Sequence, residues 1–154
     1  MKPESTLRQQ VAEYLQLQYP DVIYRFDLAA DLPLTVGQAS RHKRLHPHRG
    51  YPDLFIAEPA MVEYTKFSGL FIELKAEGKS PYKKNGELRS DKHIKEQADM
   101  LKRLFEKGYW AEFGVGFDET KKIIDKYMKN TGYLPSKMVK IPRKEIRNFT
   151  LEEF

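Results

Sequence analysis

Cysteine is absent from the 154 residues, and its absence excludes several classes of protein. Without thiols the chain cannot be a disulfide-stapled scaffold, a cysteine-ligated zinc finger, an iron–sulfur protein or a thiol enzyme. Long apolar runs are also missing, since none approaches the roughly 20 residues of a membrane span and no short one follows a basic N-terminus. We therefore expect a folded cytoplasmic protein with no segment in a membrane.

The positive charge of the chain is concentrated in two stretches. The formal net charge is +5, from 27 Lys and Arg against 22 Asp and Glu. Residues 41–50 contain four Lys or Arg and no acid, and residues 121–147 contain nine against two acids. Positive charge gathered in this way suits a surface that binds a polyanion, although a solvated charged surface without a partner would give the same pattern.

The order of the apolar patterns predicts one mixed α/β domain. Apolar spacing indicates helices over residues 4–18, 91–107 and 118–130, the last capped by Asp118. Short apolar runs predict strands over residues 22–28, 53–57, 69–75 and 109–115, and the polar stretch between the first two strands is predicted as a loop. The order α-β-β-β-α-β-α implies a central mixed sheet flanked by helices. We place this domain in residues 1–132 and treat residues 133–154 as a C-terminal extension of the same domain.

Charged side chains lie in the third predicted strand. Successive side chains of a strand point to opposite faces, so Glu73 and Lys75 leave the sheet on one side. Charges beside a core cost free energy unless they are paired or bind a metal, so these two either form a local ion pair of little consequence or belong to an active site. Asp53 opens the preceding strand, 20 residues earlier. Two carboxylates on adjacent strands offer the oxygen ligands that Mg2+ or Mn2+ prefers.

In this context the motifs resemble those of a known family, the VRR-NUC branch of the PD-(D/E)xK nucleases. The resemblance is carried by residues 49–56 (RGYPDLFI), residues 69–75 (GLFIELK), Gln97 and residues 108–111 (GYWA). It continues through residues 117–119 into the last predicted helix and spans about residues 4–130. It implies a restriction-endonuclease-like core that hydrolyses phosphodiester bonds in nucleic acid with the help of a divalent metal.

The resemblance also implies a set of site residues. Asp53 and Glu73 would hold Mg2+ or Mn2+, the backbone carbonyl of Leu74 would be a further ligand, and Lys75 would lie near the attacking water. Gln97 lies on the apolar face of its predicted helix, where an unsatisfied amide is costly. It either caps a backbone group of the core or bonds to the metal site or its lysine, and the resemblance favours the second role.

A further carboxylate comes from the first helix in many such nucleases, and helical spacing separates two candidates. At about 100° per residue, Glu4 shares the face of the apolar residues Leu7 and Val11, whereas Glu13 falls on the opposite face. The resemblance selects the same residue, Glu4, as a metal ligand. Alternatively, Glu4 only interacts favourably with the dipole of its helix.

Two polar segments are candidate contacts for the phosphate backbone of a nucleic acid. The first contains Arg41, Lys43, Arg44 and Arg49. The second contains Lys83 and Lys84, and it could equally be an exposed loop without a partner. His42, His46 and His48 lie within the first segment, but the interleaved cations and the lack of cysteine make a zinc site the weaker interpretation.

The leading functional hypothesis is a structure-selective endonuclease of phage or bacterial replication, repair or recombination, which cuts branched DNA such as four-way junctions. Symmetric cutting of a junction would need two active sites and therefore a homodimer. The alternative is a catalytically silent module with a nuclease fold, which binds DNA or recruits a partner. A restriction-type or exonuclease activity is a third possibility, weakened because no specificity domain is recognisable. The basic residues after residue 133 could extend the DNA surface or serve assembly.

Overall fold

A computed structural model describes residues 3–27 and 32–134 of the protein. None of the helices in these ranges has the length and apolar character that a membrane span requires. Of the predicted extension, residues 133–154, all but Tyr133 and Leu134 lie outside the described residues. The elements, in chain order, are α1 (Pro3–Gln18), β1 (Tyr24–Phe26), α2 (Val36–Leu45), β2 (Leu54–Ile56), β3 (Ala60–Val62), β4 (Thr65–Phe67), β5 (Leu70–Lys75), α3 (Lys92–Glu106), β6 (Trp110–Val115) and α4 (Gly116–Met128).

The central sheet has four strands in the order β1-β2-β5-β6. The first three strands pair antiparallel, and β6 lies parallel to β5. A parallel pair needs a crossover connection, which α3 provides between these two strands. A small hairpin of β3 and β4 fills the connection between β2 and β5. The predicted mixed sheet flanked by helices is thus confirmed.

The two faces of β5 have different neighbours. Leu70, Ile72 and Leu74 are at most 2% exposed and pack in the core with α1 and α4. Burying an aliphatic side chain stabilises a fold by about 1.5–3 kcal/mol, and a slip of one residue would turn these three side chains outward. This register sends Glu73 and Lys75 to the opposite face, where α3 lies.

Helix α2 occupies part of the segment that the sequence predicts as a loop, so that prediction was wrong. The helix buries none of its residues, so the sequence contains no apolar stripe at helical spacing that would predict it. Its start is fixed by a capping box. The Thr35 hydroxyl accepts a hydrogen bond from the Gln38 amide, and the Gln38 side chain accepts one from the Thr35 amide. Local capping supports this helix in the absence of core packing.

The predicted cap of the last helix was also wrong, because α4 begins at Gly116 and Asp118 lies inside its first turn. Gly116 has a φ of +74°, a conformation that glycine adopts without strain, and it turns the chain from β6 directly into α4. The carboxylate of Glu119 accepts a hydrogen bond from the Val115 amide at 3.3 Å. In the first turn, the negative charge of Asp118 interacts favourably with the helix dipole.

Close packing of α4 against β6 depends on the absence of a side chain at Gly114. A Cβ atom there would lie 2.6 Å from the Thr120 hydroxyl and 3.0 Å from a methyl carbon of Ile72. Thr120 is fully buried, and its hydroxyl donates to the Gly116 carbonyl at 2.7 Å. The hydroxyl therefore cannot move away without losing a buried hydrogen bond.

We expect Gly114→Ala to lower the free energy of unfolding by about 1–3 kcal/mol, because the added methyl group overpacks the interface between β6 and α4. Urea denaturation followed by circular dichroism measures the change. Gly37→Ala is the matched control, since a Cβ atom at Gly37 meets nothing within 4 Å. An unchanged urea midpoint for Gly114→Ala would show that the interface has room for the methyl group.

Candidate active site

Two buried carboxylates lie side by side where β2 and β5 pair. Asp53 directly precedes β2, and the register that places Leu54 opposite Ile72 brings it next to Glu73. The two residues are only 9% and 4% exposed. The Leu74 amide donates a hydrogen bond to Oδ2 of Asp53 at 2.9 Å, which fixes the aspartate against the neighbouring strand. The sequence-predicted pair is therefore brought together in one buried place.

Arg8 of α1 is a member of this cluster that the sequence analysis missed. Its Nη2 atom lies 2.6 Å from Oδ1 of Asp53, and both side chains are nearly buried. A buried carboxylate needs such a partner, because removing a charge from water costs several kcal/mol. The signal was present in the spacing, since Arg8 lies three residues before the buried Val11 and thus near the apolar face of the helix.

Gln97 of α3 joins Lys75 to Glu73. Its carbonyl oxygen accepts a hydrogen bond from the Lys75 ammonium at 2.7 Å, and its amide nitrogen donates one to Oε1 of Glu73. The same Oε1 atom lies 3.5 Å from the ammonium nitrogen. The amide thus presents its oxygen to the cation and its nitrogen to the anion. Of the two roles considered for Gln97, the structure places it beside the lysine and the carboxylate.

The second oxygen of Glu73 is the feature that fits a metal ion. Among the described residues, Oε2 is buried and has no hydrogen-bond partner. Burial, and then repulsion by Asp53, raises the pKa of the Glu73 carboxyl to about 8, although the Lys75 ammonium acts in the opposite direction. A divalent cation beside both carboxylates would supply the missing partner and oppose both causes of the raised pKa. The residues present therefore fit the implied metal.

Glu4 lies in the first turn of α1 and is half-buried, while Glu13 is exposed, as their spacing predicted. Within the parts of the chain that the structure describes, no three Asp, Glu or His side chains form a group that could hold a metal ion. The Glu4 carboxylate therefore does not join Asp53 and Glu73 in a three-acid cluster. The roles of Glu4 and of the Leu74 carbonyl as metal ligands stay predictions.

The first basic segment is exposed. Arg41, Lys43 and Arg44 lie on the C-terminal half of α2, and Arg49 follows it with a weak ion pair of 3.7 Å to Glu96. The rings of His42 and His46 stack at 4.6 Å. They form no metal-holding group with His48, since the described residues contain none.

The second basic segment is a tight turn. The Lys83 amide donates to the Glu87 carbonyl at 2.7 Å, and the Gly86 amide donates to the Lys83 carbonyl at 2.9 Å. Lys83 also pairs with the Glu87 carboxylate at 3.5 Å, and Lys84 is exposed at the tip. The turn is thus well organised, and both sequence interpretations, nucleic-acid contact and exposed loop, are compatible with it.

Comparison with known proteins identifies the fold. No family model and no curated protein matches the sequence. Among solved structures, a chain described as "VRR_NUC domain protein" matches with a TM-score of 0.59 and 20% sequence identity, over 90% of this chain and 98% of that one. The protein therefore has the VRR-NUC-type fold, a mixed α/β nuclease-like architecture. The resemblance found in the sequence is confirmed at the level of the fold.

The buried position of Glu73 yields a stability prediction for the metal-free protein. Its carboxyl ionises near pH 4.5 when unfolded but only near pH 8 when folded, so the wild type loses stability as the pH rises through this interval. The amide that replaces this carboxyl in Glu73→Gln does not ionise. In EDTA we expect the variant to melt at a higher temperature than the wild type above about pH 8, with the difference shrinking towards pH 5.

Thermal unfolding across this pH range measures the effect, and Glu106→Gln, at an exposed glutamate of α3, is the control. If Glu73→Gln melted lower than the wild type at high pH, the carboxylate would be stabilised by its neighbours rather than strained among them.

Proposed function

We propose that the protein is a metal-dependent endonuclease that hydrolyses phosphodiester bonds in DNA at the cluster of Asp53, Glu73, Lys75 and Gln97. One observation carries the proposal: the buried Glu73 beside Asp53 has a carboxylate oxygen with no hydrogen-bond partner among the described residues. Free carboxylate oxygens at this burial are costly, and cation binding is a common reason for them. The nuclease-like fold and the sequence motifs that meet at this point support the same activity.

Asp53 and Glu73 are the proposed ligands of Mg2+ or Mn2+, together with the Leu74 carbonyl, and Glu4 is the further carboxylate that the sequence resemblance suggests. Oxygen ligands of this kind suit both ions. When bound, the ion supplies Lewis-acid stabilisation of the charge on the phosphate and a water of lowered pKa. The hydrogen bond from the Leu74 amide and the ion pair with Arg8 hold the Asp53 carboxylate in one orientation.

Lys75 provides a fixed positive charge at the same place. Its ammonium is held by Gln97 and by Glu73, and its side chain is 18% exposed, so the charge is largely shielded from water. An ammonium in such a position stabilises a hydroxide or the developing negative charge of the phosphate. Gln97 positions the ammonium and the Glu73 carboxylate relative to each other, because it bonds to both.

The proposed substrate is DNA of a branched form, such as a four-way junction, and the proposed setting is replication, repair or recombination in a bacterial cytoplasm, phage-encoded or not. The exposed cations Arg41, Lys43, Arg44 and Arg49 would hold phosphates without reading bases, with Lys83 and Lys84 as a second contact. Paired cutting of a junction would require a homodimer.

We expect Lys75→Ala to reduce cleavage to background, because it removes the charge that stabilises the reacting groups, while folding and DNA binding are retained. The measurement is a panel of junctions, flaps, duplexes and single strands incubated with Mg2+, Mn2+ or EDTA. Lys66→Ala, at an exposed lysine of β4, is the matched control. Intact substrates in the wild-type lanes would refute the nuclease proposal, and undiminished cutting by Lys75→Ala would remove this residue from the mechanism.

The alternative is a catalytically silent module that binds DNA or recruits a partner. Metal binding distinguishes it from the nuclease. We expect isothermal titration with Mn2+ to show binding by the wild type and its loss in Asp53→Asn, because the amide removes a charged ligand. Asp99→Asn, at an exposed position of α3, should bind as the wild type does. Equal titration curves for all three proteins would favour the silent module.

A further inference from the structure

Four aromatic rings form a cluster on the same face of the sheet as the candidate active site. Phe55 and Phe71 stack at 4.5 Å, and the Tyr109 ring lies roughly perpendicular to both, with ring centroids 6.2 and 5.2 Å away. Tyr51 stands perpendicular to Phe71 at 5.7 Å. Because side chains alternate along a strand, Phe71 and Glu73 share a face of β5. The cluster therefore begins two residues along β5 from Glu73, on the same face of the strand.

Tyr51 is the member of this cluster that faces solvent. It is 50% exposed, whereas Phe71 is 4% exposed. It also comes two residues before Asp53, so the chain carries its ring directly to the rim of the candidate active site. A large aromatic side chain at the rim of a site, supported by other rings from behind, is a typical platform for a planar ligand.

The backbone before Tyr51 is held closely against α3. Gly50 has a φ of +72°, and a Cβ atom there would lie 2.6 Å from the Glu96 carbonyl oxygen and 2.8 Å from the Gln97 amide nitrogen. Only glycine permits this approach. The segment that carries Tyr51 thus rests on the helical turn that carries Gln97, which fixes the ring relative to the site.

Exposed arginines and an aspartate lie around the exposed ring. Arg25 lies opposite Phe55 in the pairing of β1 with β2 and is exposed, as is Arg49 two residues before Tyr51. Asp27 and Arg25 both lie close enough to the Tyr51 hydroxyl to act on it electrostatically, so charges of both signs flank the ring. An exposed aromatic ring with arginines nearby is a combination that surfaces binding single-stranded nucleic acid use.

We propose that Tyr51 stacks on an unpaired nucleobase of the strand whose phosphate lies at Asp53 and Glu73. In a duplex the faces of each base are covered by its neighbours, so only an unpaired or displaced base can offer a face to a tyrosine. The inference rests on the proposed function and gives it a substrate class: the strand to be cut carries an unpaired base beside the scissile bond.

The experiment measures binding in EDTA, so that it does not depend on cleavage. Fluorescence anisotropy compares a fluorescein-labelled single strand, a flap and a fully paired duplex, each of mixed sequence. We expect Tyr51→Ala to weaken binding of the single strand and the flap about tenfold, the typical loss of one stacked base, with the duplex nearly unaffected. Tyr51→Phe keeps the ring and should bind as the wild type does.

Two further variants guard against a purely structural effect. Tyr51→Leu keeps apolar bulk over Phe71 but lacks a ring, and it should show the same loss as Tyr51→Ala. Tyr64→Ala is the matched control, because Tyr64 is fully exposed in the turn between β3 and β4. Thermal unfolding confirms that each variant is folded.

An abasic scan identifies the stacked base. One abasic position in the single strand should weaken binding by the wild type and leave binding by Tyr51→Ala unchanged. Equal losses on single strand and duplex, the lack of any such position, or a wild type that binds none of the oligonucleotides would overturn the proposal. A wild type that shows the coupling but cleaves nothing with Mg2+ or Mn2+ would instead refute the nuclease activity and leave the stacking site standing.

Discussion

The burial of two like charges in one place is the constraint on which this structure depends. Asp53 and Glu73 repel each other and are both removed from water, and burial raises the pKa of Glu73 to about 8. The fold offsets this cost with donors from three elements: Arg8 from α1, the Leu74 amide from β5, and Gln97 from α3. Each of these donors acts only if its element is correctly placed. The site therefore depends on how both helices sit on the sheet, and burial of the apolar core offsets its cost.

Asp53 lies directly before the first residue of β2 rather than inside the strand, and this position makes the arrangement possible. Leu54, the first residue of the strand, belongs to the core that α1 and α4 share with the sheet. One residue earlier, the aspartate is reached by Arg8 from the α1 side and lies beside Glu73, which Gln97 reaches from the α3 side. A carboxylate inside the strand would face only one of these layers. The close approach of Gly50 to the backbone of Glu96 and Gln97 shows that the chain before Asp53 packs directly against α3.

What the sequence could predict follows from which forces leave a periodic trace. The alternation of Ile72 and Leu74 with Glu73 and Lys75 predicted the two faces of β5, because burial of one face imposes a period of two. The spacing of α1 likewise separated Glu4 from Glu13. Helix α2 left no such trace, since it buries nothing and is held by a capping box alone. Arg8 was missed for a further reason: a single charge near an apolar face has no period, and its partner lies 45 residues away in the chain. Long-range pairing of this kind becomes visible only when the sheet and helices are assembled.

The acidic residues of the site and the basic residues of positions 41–49 lie in different environments in this structure. The acids of the site are buried beside the cations Arg8 and Lys75, so little of their negative charge reaches solvent. The cations of residues 41–49 are exposed, and within the described part of the chain Arg49 pairs weakly with Glu96, so their field extends into solvent. A polyanion that approaches the molecule therefore meets an attractive surface before it meets the carboxylates. If a divalent ion joins the cluster, its two positive charges add to those of Arg8 and Lys75, and the site becomes positive as well. On the proposed function, the metal and the scissile phosphate would then each favour the binding of the other, which reconciles an acidic active site with a negatively charged substrate.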